Sequence, residues 1–296
     1  KLREDMDKAS RWRYALAQKM APFYNENSKV RLVEIGGSVA RGWADRYSDI
    51  ELGVFWMEAP TEEERRACIE RASGVLKEMH PYHHDKQVWS ELYSINGVDF
   101  DVSHMTIESM ERILADVLGR HDPSFLKQYV ISAIVHALPL SGAPLLTQWQ
   151  DSAKTYPDEL ARAVIHANIG FSPAWMREVF AARKDLLPLY ESYGFAQKRI
   201  LTLLFGLNHS YHPGFKWIDR RIESLSLAPP ELSLRFKQVW NSELLTGTRA
   251  LHTLIEETFT LIEVHMPEVD IAQARAVFEQ RPLEWEQAPN GFMEAL

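Results

Sequence analysis

The residues best suited to chemistry in this chain lie in one stretch, from Val33 to Trp56. An apolar run ends in Gly36-Gly37-Ser38. Arg41 follows, and a second apolar run carries Asp49 and Glu51 with one residue between them. In a strand, side chains i and i+2 leave the same face. Asp49 and Glu51 are therefore expected side by side, roughly 7 Å apart, with Ile50 and Leu52 on the opposite face. Two ionised carboxylates so placed repel unless a cation lies between them, and hard divalent ions such as magnesium favour oxygen ligands. The glycines before Ser38 let a backbone come close to a phosphate. The amides of the following turn, at a helix start, can then bind it. A phosphate cradle beside a metal-binding carboxylate pair suits nucleotide chemistry.

Asp99 and Asp101 lie further on, in Val98-Asp99-Phe100-Asp101-Val102-Ser103-His104-Met105. The alternation predicts a strand with Val98, Phe100 and Val102 on one face and both aspartates on the other. His104 has the parity of the apolar face, where a hydrogen-bonded core histidine is the expected reading. His80, His83 and His84 flank Pro81 without the spacing of a zinc site, so a solvated loop is expected there. Cys68 falls at helical spacing with Ala72, Val75 or Leu76, and Met79, and reads as a small core residue.

These residues need a scaffold, and the patterning supplies one. Residues 3–24 read as an amphipathic helix with Trp12, Leu16, Met20 and Phe23 on one stripe. Strands are expected at 30–35, 48–56, 88–95 and 98–105, with Asn96-Gly97 as a hairpin turn. Thr61 and Glu64 form a capping box ahead of a helix, and a further helix spans 106–120. After Asp122-Pro123 the chain reads as helices with no convincing strand, with pieces near 124–137, 144–153, 157–169, 173–187, 191–209, 215–226, 230–245, 246–265 and 271–280. Residues from 282 read as a loose tail. The expected fold class is α+β: a mixed β-sheet domain with helices on one face (1–120), then a helical bundle (121–296). Trp149, Trp175 and Trp240 sit at helical spacing and are expected in the core of that second half.

At 296 residues and 46% hydrophobic, the chain can bury a sizeable core. The formal net charge of −8 argues against a polynucleotide partner, whose phosphates demand clustered Lys and Arg. A single cysteine rules out an internal disulfide framework and fits a reducing cytoplasm. No apolar run is long enough for a membrane span.

The order strand, Gly-Gly-Ser, turn, strand with Asp-x-Glu resembles the signature of the polymerase-β-like nucleotidyltransferases. Within them it looks most like the small-molecule branch, which includes aminoglycoside and lincosamide nucleotidyltransferases. The resemblance implies an enzyme that moves a nucleoside monophosphate from an NTP, with ATP the expected nucleotide, to a hydroxyl of a small molecule. The acceptor class includes antibiotics, and pyrophosphate is released. It implies two magnesium ions on Asp49, Glu51 and a third acid on a later strand, as ligand or general base. Asp101 is the expected third acid and Asp99 the alternative. Gly37, Ser38 and Arg41 would hold the phosphates. The helical domain of such enzymes completes the nucleotide site across a cleft. Lys216, at a helix start where the dipole gives a lysine little reason to be, could reach the β/γ phosphates; Tyr211 stands nearby in sequence. The competing reading there is a loop pinned in the core by Tyr211, Phe215 and Trp217. Two further readings stay open: transfer to a protein or RNA hydroxyl, as in toxin–antitoxin nucleotidyltransferases, and a non-catalytic nucleotide-binding protein of the same fold.

Overall fold

The computed structural model describes residues 6–282. They form two compact units. One holds the described residues up to Leu160 together with Tyr211–Gly214. The other runs from Ala161 to Ser210 and from Phe215 onward. The expected α+β class holds. Among the described residues, the first unit contains a six-stranded mixed sheet and the second is helical.

The first unit opens with α1 (Lys8–Asn25), β1 (Val30–Ile35), the short helix α2 (Gly37–Arg41) and β2 (Ile50–Trp56). α3 (Glu62–Arg71), β3 (Val75–His83), β4 (Val88–Ile95) and β5 (Val98–Thr106) follow. Next come α4 (Ile107–Leu114), a π-helical turn at Ala115–Gly119, α5 (Phe125–His136), β6 (Leu138–Ser141) and α6 (Ala143–Ser152). The strand order is β3-β4-β5-β2-β1-β6. Only β2 and β5 pair in parallel. Asn96 and Gly97 both take positive φ (50° and 81°), the left-handed pair a two-residue hairpin needs.

Alternation sorts the sheet into two faces. Val33, Ile35, Ile50, Leu52, Val54, Trp56, Phe100 and Val102 form one core with Ala17, Met20, Ala21 and Tyr24 of α1 and with Cys68 and Ile69 of α3. Cys68 is the buried small residue its spacing implied. The same face holds a buried polar chain. Trp56 Nε1 donates to His104 Nδ1 at 2.9 Å. The His104 proton is thereby placed on Nε2, which donates to Glu91 Oε1. Arg65 Nη1 donates to Glu91 Oε2 at 3.0 Å. His104 is the satisfied core histidine the parity implied. At the opposite face Trp149 of α6 packs edge-on against Phe55, with ring centroids 4.9 Å apart.

Several expectations need correction. The segment around Met79 is not a continued helix: α3 stops at Arg71, and β3 begins after Ser73, which has φ 55°. Val75, Leu76 and Met79 satisfy a strand as well as a helix, and the Ser73-Gly74 break decides between them. His80 and His83 therefore lie on a strand, where His80 pairs with Glu78. The later half does contain a strand, β6, an edge strand that carries Pro139. The buried face of α1 is Ser10, Arg13, Ala17, Met20, Ala21 and Tyr24, while Trp12 is 43% exposed.

The second unit is built on α8 (Ala174–Arg183), α9 (Leu186–Leu207), α11 (Leu232–Asn241) and α12 (Leu244–His265). Leu251, Leu254, Ile255, Phe259 and Ile262 of α12 are buried. Tyr193 of α9 donates from its hydroxyl to the Leu244 carbonyl at 3.0 Å. α7 (Asp158–Asn168), α10 (Ile218–Ile222) and α13 (Ala272–Glu279) complete the described helices. Trp149 is in the core as expected, in the first unit. Trp240 is not: it is 40% exposed and its indole N–H donates to Gln197 Oε1 at 3.0 Å. The expected tail lies outside the described residues from 283 on. Among the described residues, no helix is long and apolar enough to cross a membrane.

Candidate active site

The Gly-Gly-Ser corner joins β1 to α2 beside β2. The Gly36 amide donates to the Glu51 carbonyl at 3.0 Å, which ties the corner to the strand that carries the acids. Gly37 has φ +58°, a left-handed conformation natural to glycine. A Cβ on Gly37 would collide with the Glu51 carboxylate. Gly37 is thus glycine for two reasons, its backbone angle and the carboxylate resting against it. Ser38 is half-buried, and its carbonyl accepts from the Trp43 amide at 2.8 Å, which closes the turn. Arg41 is half-buried with its guanidinium 5.5 Å from the Trp43 ring centre. α2 is only five residues long, so it has little macrodipole. Any phosphate affinity there must come from local amides rather than from the helix as a whole.

Glu51 is half-buried on β2, and the parallel ladder sets it directly opposite Asp101 on β5. Residues opposite one another in a ladder project to the same face, so these two acids are neighbours. Asp101 is exposed. Asp99 lies two residues earlier and is ion-paired with Lys77. Asp49 departs from the expected geometry. β2 starts at Ile50, so Asp49 stands one residue ahead of the strand, half-buried in the loop. That loop is held from α1. The Ser10 hydroxyl accepts from the Ala44 amide at 3.0 Å, and Arg13 Nε donates to the Ser48 carbonyl at 2.9 Å. Burial lowers the Arg13 pKa, and the carboxylates of Asp45, Asp7 and Asp49 partly offset this. Ser10 and Arg13 escaped the sequence reading because a stripe chosen for apolar residues passes over polar ones.

Glu34 was missed as well. It sits in the middle of β1, opposite Gly53 of β2, and is 6% exposed. A Cβ on Gly53 would strike Glu34 Oε1; one on Gly36 would lie 3.6 Å from Oε2. The Glu34 carboxyl therefore lies across β2 toward the corner. Its Oε2 is buried without a hydrogen-bond partner. Burial first, and then the Glu51 carboxylate, raise the Glu34 pKa to about 8. The signal was present in the sequence as a lone acid inside the apolar run of β1.

The donor set at this face is all carboxylate oxygen, the chemistry that magnesium takes. Among the described residues, no three His, Cys, Asp or Glu side chains converge as a metal-holding group. The acids are therefore not a ready-made three-ligand cage. They fit an ion bound through one or two carboxylates, with water and substrate phosphates supplying the remaining ligands, which is magnesium's usual habit.

Lys216 is exposed and belongs to the second unit. It lies in an irregular segment, since α10 begins only at Ile218. Tyr211 belongs to the first unit and is buried. Its ring centre is 4.9 Å from that of Tyr156, and its hydroxyl donates to the Thr155 carbonyl at 3.4 Å. Burial raises its pKa to about 12, and its burial against Tyr156 is that of a packing residue.

Residues 126–218 match a family described only as a domain of unknown function, DUF4037. No curated protein matches the chain. Among solved structures, the chain is similar to the crystal structure of a nucleotidyltransferase-like protein from Exiguobacterium sibiricum 255-15. The TM-score is 0.38 and the identity 12%, over 86% of this chain and 81% of that one. A likeness of that degree decides nothing about this chain.

Proposed function

We propose that this chain is a nucleotidyltransferase that moves a nucleoside monophosphate from an NTP to a hydroxyl of a small molecule. The observation that carries the reading is the pairing of Glu51 with Asp101 across a parallel ladder, directly beside a glycine corner on which the Glu51 carboxylate rests. The motif expected from sequence supports it.

The chain's own groups have assignable tasks. The turn at Gly37 and Ser38 would hold the triphosphate, next to the Glu51 carboxylate that rests on Gly37. Arg41, at the end of the same turn, adds positive charge toward the triphosphate. Asp49, Glu51 and Asp101 are the acids from which magnesium would take one or two carboxylate ligands. When bound, that ion neutralises phosphate charge and lowers the pKa of a coordinated hydroxyl. Asp101 is the most exposed of these acids, which suits it to accept the proton of the attacking hydroxyl. Ser10 and Arg13 keep the loop that carries Asp49 in place. The acceptor class is a hydroxyl-bearing small molecule, of which aminoglycosides and lincosamides are the first to try.

A pyrophosphate-release screen tests this, run with four NTPs against a panel of hydroxyl-bearing small molecules. Release with one acceptor, lost in Glu51→Gln, is the expected result. Nucleotide binding without release on any small molecule, protein or RNA acceptor would overturn transfer as the function.

A further inference from the structure

We propose that Glu34 is a cation ligand of this site, forming with Glu51 a two-carboxylate seat for a divalent ion that arrives on the nucleotide phosphates. This rests on the reading of the site given above and adds to it a residue outside the Asp-x-Glu motif.

Glu34 and Glu51 project from adjacent strands to the same face. The register pairs Glu34 with Gly53, and Glu51 lies two residues before Gly53 on β2. Their carboxyls flank the same corner. The Glu34 carboxyl occupies the space over Gly53 and reaches to Gly36, while the Glu51 carboxyl occupies the space at Gly37. Gly37 and Gly53 are positions where a Cβ would strike these two acids.

The oxygen of Glu34 that faces Gly36 is buried and unpartnered. A buried polar atom in that state costs stability unless something answers it. The charged group that acts on Glu34 among the described residues is another carboxylate, that of Glu51. An apolar side chain would pack at this position without that cost. A cation brought by the substrate supplies what the protein leaves out, and two carboxylates are as many as magnesium commonly takes from a protein when phosphates provide the rest.

The test is manganese binding, followed by electron paramagnetic resonance in the presence of the α,β-methylene analogue of ATP, which cannot transfer its nucleotide. Wild type, Glu34→Gln and Glu51→Gln are compared. Glu34→Gln is expected to weaken manganese binding by about 10-fold or more, with analogue binding in EDTA unchanged. Equal manganese affinity in wild type and Glu34→Gln, with loss in Glu51→Gln, overturns the role of Glu34 and leaves the parent reading standing. Absence of manganese binding in wild type overturns both. If Glu34→Gln fails to fold, anomalous scattering from manganese in crystals of the unaltered protein with the analogue decides the matter. The proposal expects the manganese peak at ligand distance from the Glu34 carboxylate, and it falls if the peak is held without Glu34.

Discussion

Glu91 and Glu34 are carboxylates buried in the same six-stranded sheet, on opposite faces, and the protein treats them in opposite ways. Glu91 is 1% exposed, and both its oxygens are bonded, one by Arg65 and the other by His104. Glu34 is 6% exposed, with one oxygen unpartnered and another acid as its charged neighbour. A buried charge that is paired and hydrogen-bonded fixes the elements around it, although a well-packed apolar trio can do as well energetically. A buried acid without a partner only costs stability, unless a ligand completes it. The α1/α3 face is thus finished by the chain itself, whereas at the corner the proposed cation would supply the partner that Glu34 lacks.

The largest effect expected from this difference is on turnover. Glu51→Gln should reduce nucleotidyl transfer on the order of 10³-fold, with the melting temperature unchanged or raised; near-normal turnover would remove Glu51 from the chemistry. Comparable in size is a pH effect on the metal-free protein. The Glu34 pKa is raised from 4.5 to about 8, so between those values the folded chain holds a proton that the unfolded chain has released. Its contribution is complete below pH 4.5, is lost as pH rises to about 8, and is constant above that. The loss is at most about 5 kcal/mol. Urea unfolding in EDTA across that window should show the decline in wild type, and Glu34→Gln should flatten it. A parallel decline in both proteins would place the titrating group elsewhere.

On the other face, Arg65→Met strips Glu91 of its cation and should cost about 3–5 kcal/mol by the same measurement. Adding Glu91→Gln, which keeps an acceptor for His104, should recover part of that. Turnover per folded molecule should stay near wild type in both variants, since neither residue reaches the corner face. The smallest effect is at the link between α1 and the acidic loop. Ser10→Ala leaves the Ala44 amide without its acceptor, at about 1–2 kcal/mol. Because that loop carries Asp49, turnover should fall alongside. A stability loss with unchanged turnover would show that Asp49 is held without α1.

The sequence marked the corner well because its constraints are local. Gly37 needs a positive φ, Asn96-Gly97 makes a hairpin, and the alternation of Val98, Phe100 and Val102 with Asp99 and Asp101 separates two faces whatever lies beyond them. It misjudged β3, where apolar residues fit both periods and only the Ser73-Gly74 break distinguishes them. It passed over β6, four residues with a proline, which becomes a strand only by pairing with β1. The stripe of α1 was misplaced because Arg13 is buried on the strength of a bond to Ser48, thirty-five residues away.

Residue type and spacing alone determined the α+β class, the two acidic strands, the glycine corner and the place of His104 and Cys68. These follow from steric limits and side-chain alternation, which act over a few residues. Only the tertiary structure decided that Glu51 faces Asp101 while Asp99 is engaged by Lys77, that Asp49 stands ahead of its strand, and that Glu34 lies over Gly53 with an oxygen unanswered. Those facts depend on register between strands far apart in the chain. Alternation and turn type constrain register within a hairpin, but the pairing of β1 with β2 and of β2 with β5 is decided by packing and hydrogen bonding across the sheet.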